Sequence, residues 1–190
     1  MAHAAAEALG FRCLDEEIIV RAAERAGVPQ ETVARVERTD PLFLRVLEYL
    51  SRGSVDPTEG TFIPPTSDPS LRQTGFEALI SEVIKETAAE GNVVILAHGA
   101  GMHLAGCDGL LRVFVTASPD ARANRVARES GLTEKVATRA IADSDRQRRE
   151  YLRRFCEVRQ ELPTHYDLVI NTDVLTRVQA AELIVVLAKG

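Results

Sequence analysis

The 190-residue chain is 45% hydrophobic and 27% charged, enough to bury one sizeable core in a single domain over residues 1–190. A net charge of −5 and the lack of a basic tail argue against bulk attraction to nucleic acid. Three cysteines, Cys13, Cys107 and Cys156, have no CxxC or CxxH spacing, which argues against a zinc site and for reduced thiols in a cytoplasmic protein. The start MAHAAAEALGF has no basic flank and only a short apolar run interrupted by Glu7, so neither a signal peptide nor a membrane anchor is expected.

Ala2 to Leu9 is rich in helix formers and stops at Gly10, and FRCLD follows as a short strand. Glu16 to Ala26 is predicted helical up to Gly27, and Pro29 opens another helical piece that runs to Arg38. Beyond the Asp40–Pro41 break, Phe43, Val46, Leu47 and Leu50 recur at helical spacing, whereas Gly53 to Gln73, with four prolines, reads as a long surface loop. Phe76, Leu79, Ile80, Val83 and Ile84 mark an amphipathic helix closed by Gly91. Val93 to Ala97 is a continuous apolar run of the kind buried in a parallel sheet, and the turn His98 to Gly101 comes next. Then come a strand Leu111 to Ala117, helices from Pro119 to about Phe155, a strand Leu168 to Asn171 and a helix Val178 to Ala188.

Alternation of strands with helices predicts an α/β fold with a parallel sheet and flanking helices. Ligands in such folds bind beyond the carboxyl ends of the strands, here Asp15, His98 to Gly101, Ala117 with Ser118, and Asn171 with Thr172. Arginines crowd Arg122 to Arg128 and Arg139 to Arg154, between two of the predicted strands. A helical excursion of this kind suits closure over a polyphosphate, because guanidinium forks bind phosphate oxygens bidentately and keep their charge. A solvated helix face is the competing reading.

The runs LRVFVTASPDARANRV, RAIADSDRQRREYLRRF and YDLVINTDVLT, with ALGFRCLDEEII and GNVVILAHGAG, carry a resemblance over nearly the whole chain. In order and spacing they resemble the cytidylate kinase-like branch of the P-loop nucleoside monophosphate kinases. The resemblance implies a P-loop kinase-like fold with a helical lid at about 119–160. It also implies ATP-dependent phosphoryl transfer to a nucleoside monophosphate such as CMP, with Mg²⁺ bridging the donor phosphates. Neither nucleic acid nor membrane is an expected partner.

Residue by residue, LDEEIIVR resembles the segment in which an arginine six positions after the aspartate contacts the monophosphate, which points to Arg21; pairing with Glu17 or Glu24 is the equal alternative. Arg139, Asp143 and Arg146 fit the spacing of the family's lid, although Ala140 stands where the family has aspartate. Asp145 with Arg148 offers a second register. Arg122 and Arg128 read as surface residues and Arg125 as the exception. Ala97, His98 and Gly99 fall where relatives have glycine, arginine and glycine, with the arginine on the monophosphate, so His98 is a weaker substitute for that arginine or a loop histidine without catalytic duty.

The glycine-rich phosphate loop of the family, and the strand before it, have no counterpart in the sequence, and no GxxxxGKS or GxxxxGKT run occurs. Without that strand, the sheet is expected to show a gap between 93–97 and 111–117. The chain as written is therefore expected to be catalytically silent, with turnover depending on a completed N-terminus. Two alternatives stay open: an inactive nucleotide-binding or regulatory paralogue, and an interaction module using the 53–73 loop.

Overall fold

A computed structural model of the protein describes residues 1–27, 30 and 69–190, with side chains of the helix that begins at Pro69 described from residue 77 onward. In chain order the elements are α1 (Ala2–Leu9), β1 (Arg12–Leu14), α2 (Glu17–Ala26), α3 (Pro69–Ala89), β2 (Val93–Ile95) and α4 (Ala100–His103). They continue with β3 (Val113–Thr116), α5 (Pro119–Ser130), α6 (Glu134–Phe155), a 3-10 turn (Pro163–His165), β4 (Leu168–Asn171) and α7 (Arg177–Lys189). The predicted helices after Pro29 and around Phe43 to Leu50 lie outside the described residues, as does most of the predicted loop. Its last part is corrected: residues 69–73 are helical. Proline at the first helical position lacks only an N–H that would have no intrahelical partner anyway, so Pro69 starts α3 rather than ending a loop.

Local chemistry explains most of the other boundaries. α1 stops at Gly10, which adopts a left-handed φ of 69° and donates its N–H to the last turn. Ser118 caps α5, its side chain accepting from Ala121 N at 3.3 Å, with Pro119 behind it. Thr176 and Gln179 form a reciprocal capping box at the start of α7.

The strands form two separate two-stranded sheets, β1–β2 and β3–β4, each parallel. Cys13 pairs with Val94 in the first, and Val115 with Ile170 in the second. Among the described residues no strand joins β2 to β3. The apolar runs are expected to be buried throughout, yet Val115 and Val169 are 41% exposed while Ile170, the register partner of Val115, is 2% exposed. β2 is also shorter than expected: after Leu96 donates to the Leu14 carbonyl at 2.8 Å, Ala97 turns left-handed and pairing ends.

The main core lies where α2 crosses α3. Ile18, Ile80, Ile84 and Ala22 are fully buried there, and Leu104 and Phe155 close it from the ends of α4 and α6. A second, smaller cluster of Ala123, Ala137 and Ile141 holds α5 against α6. The arginine-bearing hairpin therefore has a small core of its own, while the carboxyl end of α6 belongs to the main one.

Candidate functional site

A cleft of about 670 Å³ opens at the carboxyl ends of β3 and β4, within the roughly 300–1,000 Å³ usual for small-molecule sites. Its walls include Phe114, Arg122, Arg125, Asp145, Arg148 and Thr172. The position follows from the topology, since α5 leaves β3 directly at its carboxyl end and α6 returns alongside it. Arg122 Nη1 lies 2.7 and 2.9 Å from the two Asp145 carboxylate oxygens, joining the helices of the hairpin across the cleft wall. Arg125 donates to the Thr172 hydroxyl at 3.1 Å and to the Thr172 carbonyl. Thr172 is itself buried, and its hydroxyl donates to the Thr116 carbonyl at 3.0 Å, so Arg125 seals the end of the β3–β4 pair.

Arg148 is the most elaborately held arginine of the cleft. Its Nε and Nη2 donate to the two oxygens of Glu161 at 2.9 and 2.5 Å, with Tyr166 Oη at 3.3 Å from Nη2. The guanidinium carbon sits 5.4 Å from the centre of the Phe114 ring, on which Tyr166 stacks at 4.9 Å. The hydrogen bonds to Glu161 raise the Arg148 guanidinium above its ordinary value, so the charge is permanent. Burial pushes the Glu161 carboxyl up, but the bonds from Arg148 and Tyr166 outweigh it and leave the group below the usual carboxylate range. Burial, then the bond to Glu161, pushes the Tyr166 phenol up to about 12.

A second cluster forms at the carboxyl ends of β1 and β2. Ala97, His98 and Gly99 are three successive left-handed residues, with φ of 59°, 51° and 61°. For the two that carry a Cβ this conformation costs roughly 1–2 kcal/mol each. Their surroundings hold the turn in place: His98 Nε2 lies 3.0 Å from the Asp15 carbonyl, and the Tyr151 hydroxyl donates to the His98 carbonyl at 3.0 Å. A carbonyl only accepts, so the His98 proton sits on Nε2. A Cβ on Gly99 would stand 2.5 Å from Cys156 Sγ, so the position needs glycine for space as well as for φ. Burial pushes the Cys156 thiol up to about 11, which keeps it protonated beside His103 Nε2 at 3.7 Å.

Of the residues singled out from sequence, the cleft gathers Arg125, Asp145 and Arg148. His98 meets Asp15 at the neighbouring strand ends, Gly99 lies against Cys156 and Tyr151, and α6 touches both places, through Arg148 and through Tyr151. Arg139 is exposed and has no partner among the described residues, while Asp143 and Arg146 pair with each other at 2.9 Å away from the cleft lining. Arg21 lies apart, donating to Glu17 at 2.7 Å and Glu90 at 2.6 Å on the α2–α3 face. Sequence reasoning took Arg122 for a surface residue and did not reach Glu161 or Tyr166. The signal for Arg122 was its spacing of three from Arg125, which puts both on one helix face. Nothing local marked Glu161.

Among the described residues no group of three or more His, Cys, Asp or Glu side chains is placed to hold a metal ion. Asp145 is committed to Arg122, and Asp173 accepts from Ser118 N at 2.8 Å. The described donor set therefore does not fit a Mg²⁺ cage of its own. Among the described residues no helix is long and apolar enough to cross a membrane.

Residues 1–174 match the sequence profile of the cytidylate kinase-like family. No curated protein matches the chain. Among solved structures it is similar to a crystal structure of an uncharacterized protein from Eubacterium ventriosum ATCC 27560, with 18% identity and a TM-score of 0.57, covering 94% of this chain and 98% of that one. At that identity the likeness shows the fold alone.

Proposed function

The chain belongs to the cytidylate kinase-like family, and from that premise we propose that it is a nucleoside monophosphate kinase-like protein that takes ATP as donor and CMP as acceptor. The arginine cleft at the carboxyl ends of β3 and β4 carries this reading. Transfer of a phosphoryl group asks the protein mainly for positioning and charge stabilisation. Arg122 and Arg148 line the cleft, held in place by Asp145 and Glu161, and Arg125 fixes the strand ends on which it is built. Mg²⁺ is assigned only as the companion of the ATP phosphates. The acceptor phosphate falls to the backbone of the strained turn at His98 and Gly99, at the carboxyl end of β2, since the His98 Nε2 proton is committed to the Asp15 carbonyl.

Donor phosphates in this superfamily also need a cradle of successive backbone N–H groups. The sequence has no GxxxxGKS or GxxxxGKT run, and among the described residues no strand joins β2 to β3. We therefore expect the 190-residue chain to bind nucleotide yet transfer little phosphate. An inactive nucleotide-binding paralogue is the second reading, favoured by the same two observations.

Calorimetric titration with ATP and CMP, alongside an assay for CDP formation, tests this. Nucleotide binding that is lost in the Arg122→Ala, Arg148→Ala double variant supports the site, and failure to bind any nucleotide overturns it. Adding an apolar strand and a glycine-rich turn ahead of Met1 should raise the Tm and restore turnover together. Stabilisation without turnover would favour the paralogue. Robust CDP formation by the 190-residue chain would show that other amides, such as those of Gly99 to Gly101, hold the donor phosphates.

A further inference from the structure

Arg148 is 46% exposed and lines the cleft, whereas Glu161 is 14% exposed and lies outside its lining. One edge of the guanidinium, Nε with Nη2, is gripped by both Glu161 oxygens. One face rests on Phe114, a ring that itself lines the cleft. Glu161 is fixed in turn by the Tyr166 hydroxyl, and Tyr166 by stacking on Phe114. Arg148 Nη1 has no hydrogen-bond partner among the described residues, so two N–H donors of a fully charged, immobilised group remain uncommitted.

Resting on the reading of the cleft as a polyphosphate site, we propose that Glu161 is a positioning residue. With Tyr166 and Phe114 it holds Arg148 in a set orientation and leaves its Nη1 edge to the anion. The carboxylate acts through the arginine and does not touch the ligand. A free arginine would have to order a rotamer-rich side chain on binding, and here that ordering is done before the ligand arrives. Two other accounts make opposite predictions. If Glu161 merely competed with the anion for Arg148, removing it would tighten binding. If it were only a tie between the end of the hairpin and β4, removing it would lower the Tm and leave the affinity of the folded protein unchanged.

The test is calorimetric titration of the full 190-residue chain with inorganic tripolyphosphate at low ionic strength. Glu161→Ala should weaken binding about two- to tenfold, the cost of one unimmobilised side chain, although it removes a negative charge near the site. Glu161→Gln keeps the shape and one acceptor oxygen and should fall between Glu161→Ala and the unaltered protein. ¹⁵N-detected spectra of arginine Nε–H groups should show the Arg148 signal retained in Glu161→Gln and broadened in Glu161→Ala. Should Glu161→Ala fail to fold, Tyr166→Phe removes one of the bonds on Glu161 and should give a smaller loss in the same direction. Unchanged or tighter binding in Glu161→Ala overturns the proposal. If Arg122→Ala weakens tripolyphosphate binding and Glu161→Ala does not, only the role of Glu161 falls. If the unaltered protein binds no tripolyphosphate, the polyphosphate reading falls and the role of Glu161 with it.

Discussion

The α2–α3 pair and the α5–α6 hairpin are both helix-on-helix contacts, yet they bury different things. Between α2 and α3 lie Ile18, Ile80, Ile84 and Val83, all at 2% exposure or less. Their ion pairs, Arg21 with Glu17 and Glu90 and Arg25 with Glu86, sit at the rim. Between α5 and α6 lie Ala123, Ala137 and Ile141, and an arginine–aspartate pair crosses the same contact. Each buried methylene is worth about 0.8 kcal/mol, so an isoleucine contact holds far more strongly than an alanine one. Exposed ion pairs contribute only about 0–1 kcal/mol and cannot make up the difference. The carboxyl end of α6 is tied to the main core through Phe155, with Tyr151 stacked on Phe155 at 4.5 Å. The α2–α3 contact is therefore the more strongly packed of the two, and the α5–α6 contact the weaker.

The largest effect should come from breaking the α2–α3 contact. Ile84→Ala should lower unfolding free energy by about 2–5 kcal/mol, and Ala137→Gly in the hairpin by about 1 kcal/mol. Urea melts followed by circular dichroism measure both, and equal losses would abolish the contrast. A second measurement separates arginines that serve the cleft from those that serve packing. Arg148→Ala should weaken ATP binding by about 1.5–3 kcal/mol, the worth of a hydrogen bond to a charged group. Arg146→Ala, whose side chain pairs with Asp143 outside the cleft, should do less. Arg154→Ala should leave binding unchanged and lower the Tm, because Arg154 pairs with Glu77 and covers the Phe155 ring. Equal and negligible effects at Arg146 and Arg148 would reject the hairpin as a lid.

The smallest effect concerns pH. Hydrogen bonds from the Arg112 side chain and backbone hold the Asp167 carboxyl down at about 2, clipping the start of β3 to the start of β4. A depressed carboxyl contributes stability above its unfolded value of about 3.8 and loses it as pH falls through the folded value. Acid melts between pH of about 4 and about 2 should therefore flatten in Asp167→Asn relative to the unaltered protein. The change should be modest, since Asp167 is exposed and its ion pair is screened by water. An identical acid slope in both would remove the clip from the account.

Helices ending at Gly10, Gly27 and Gly91, the order of strands and helices, and membership of the family were legible in the sequence, because each is written in local spacing and residue type. Among the described residues, β1–β2 and β3–β4 form separate parallel pairs, which agrees with the break expected between 93–97 and 111–117. Which arginines converge was not legible in the sequence. Arg146 and Arg148 are two residues apart, about 200° around a helix, so only one can face the cleft. The weak apolar stripe of α6 in its first half does not say which, and the burial of Phe155 in the main core sets the rotation. Arg21 met Glu90 and Arg148 met Glu161 only because chain folding brought carboxylates from 69 and 13 residues away. Local pattern fixes which face of an element is apolar and where it ends. The partner a long charged side chain finds is decided by packing of the elements, which the sequence states only through the whole fold.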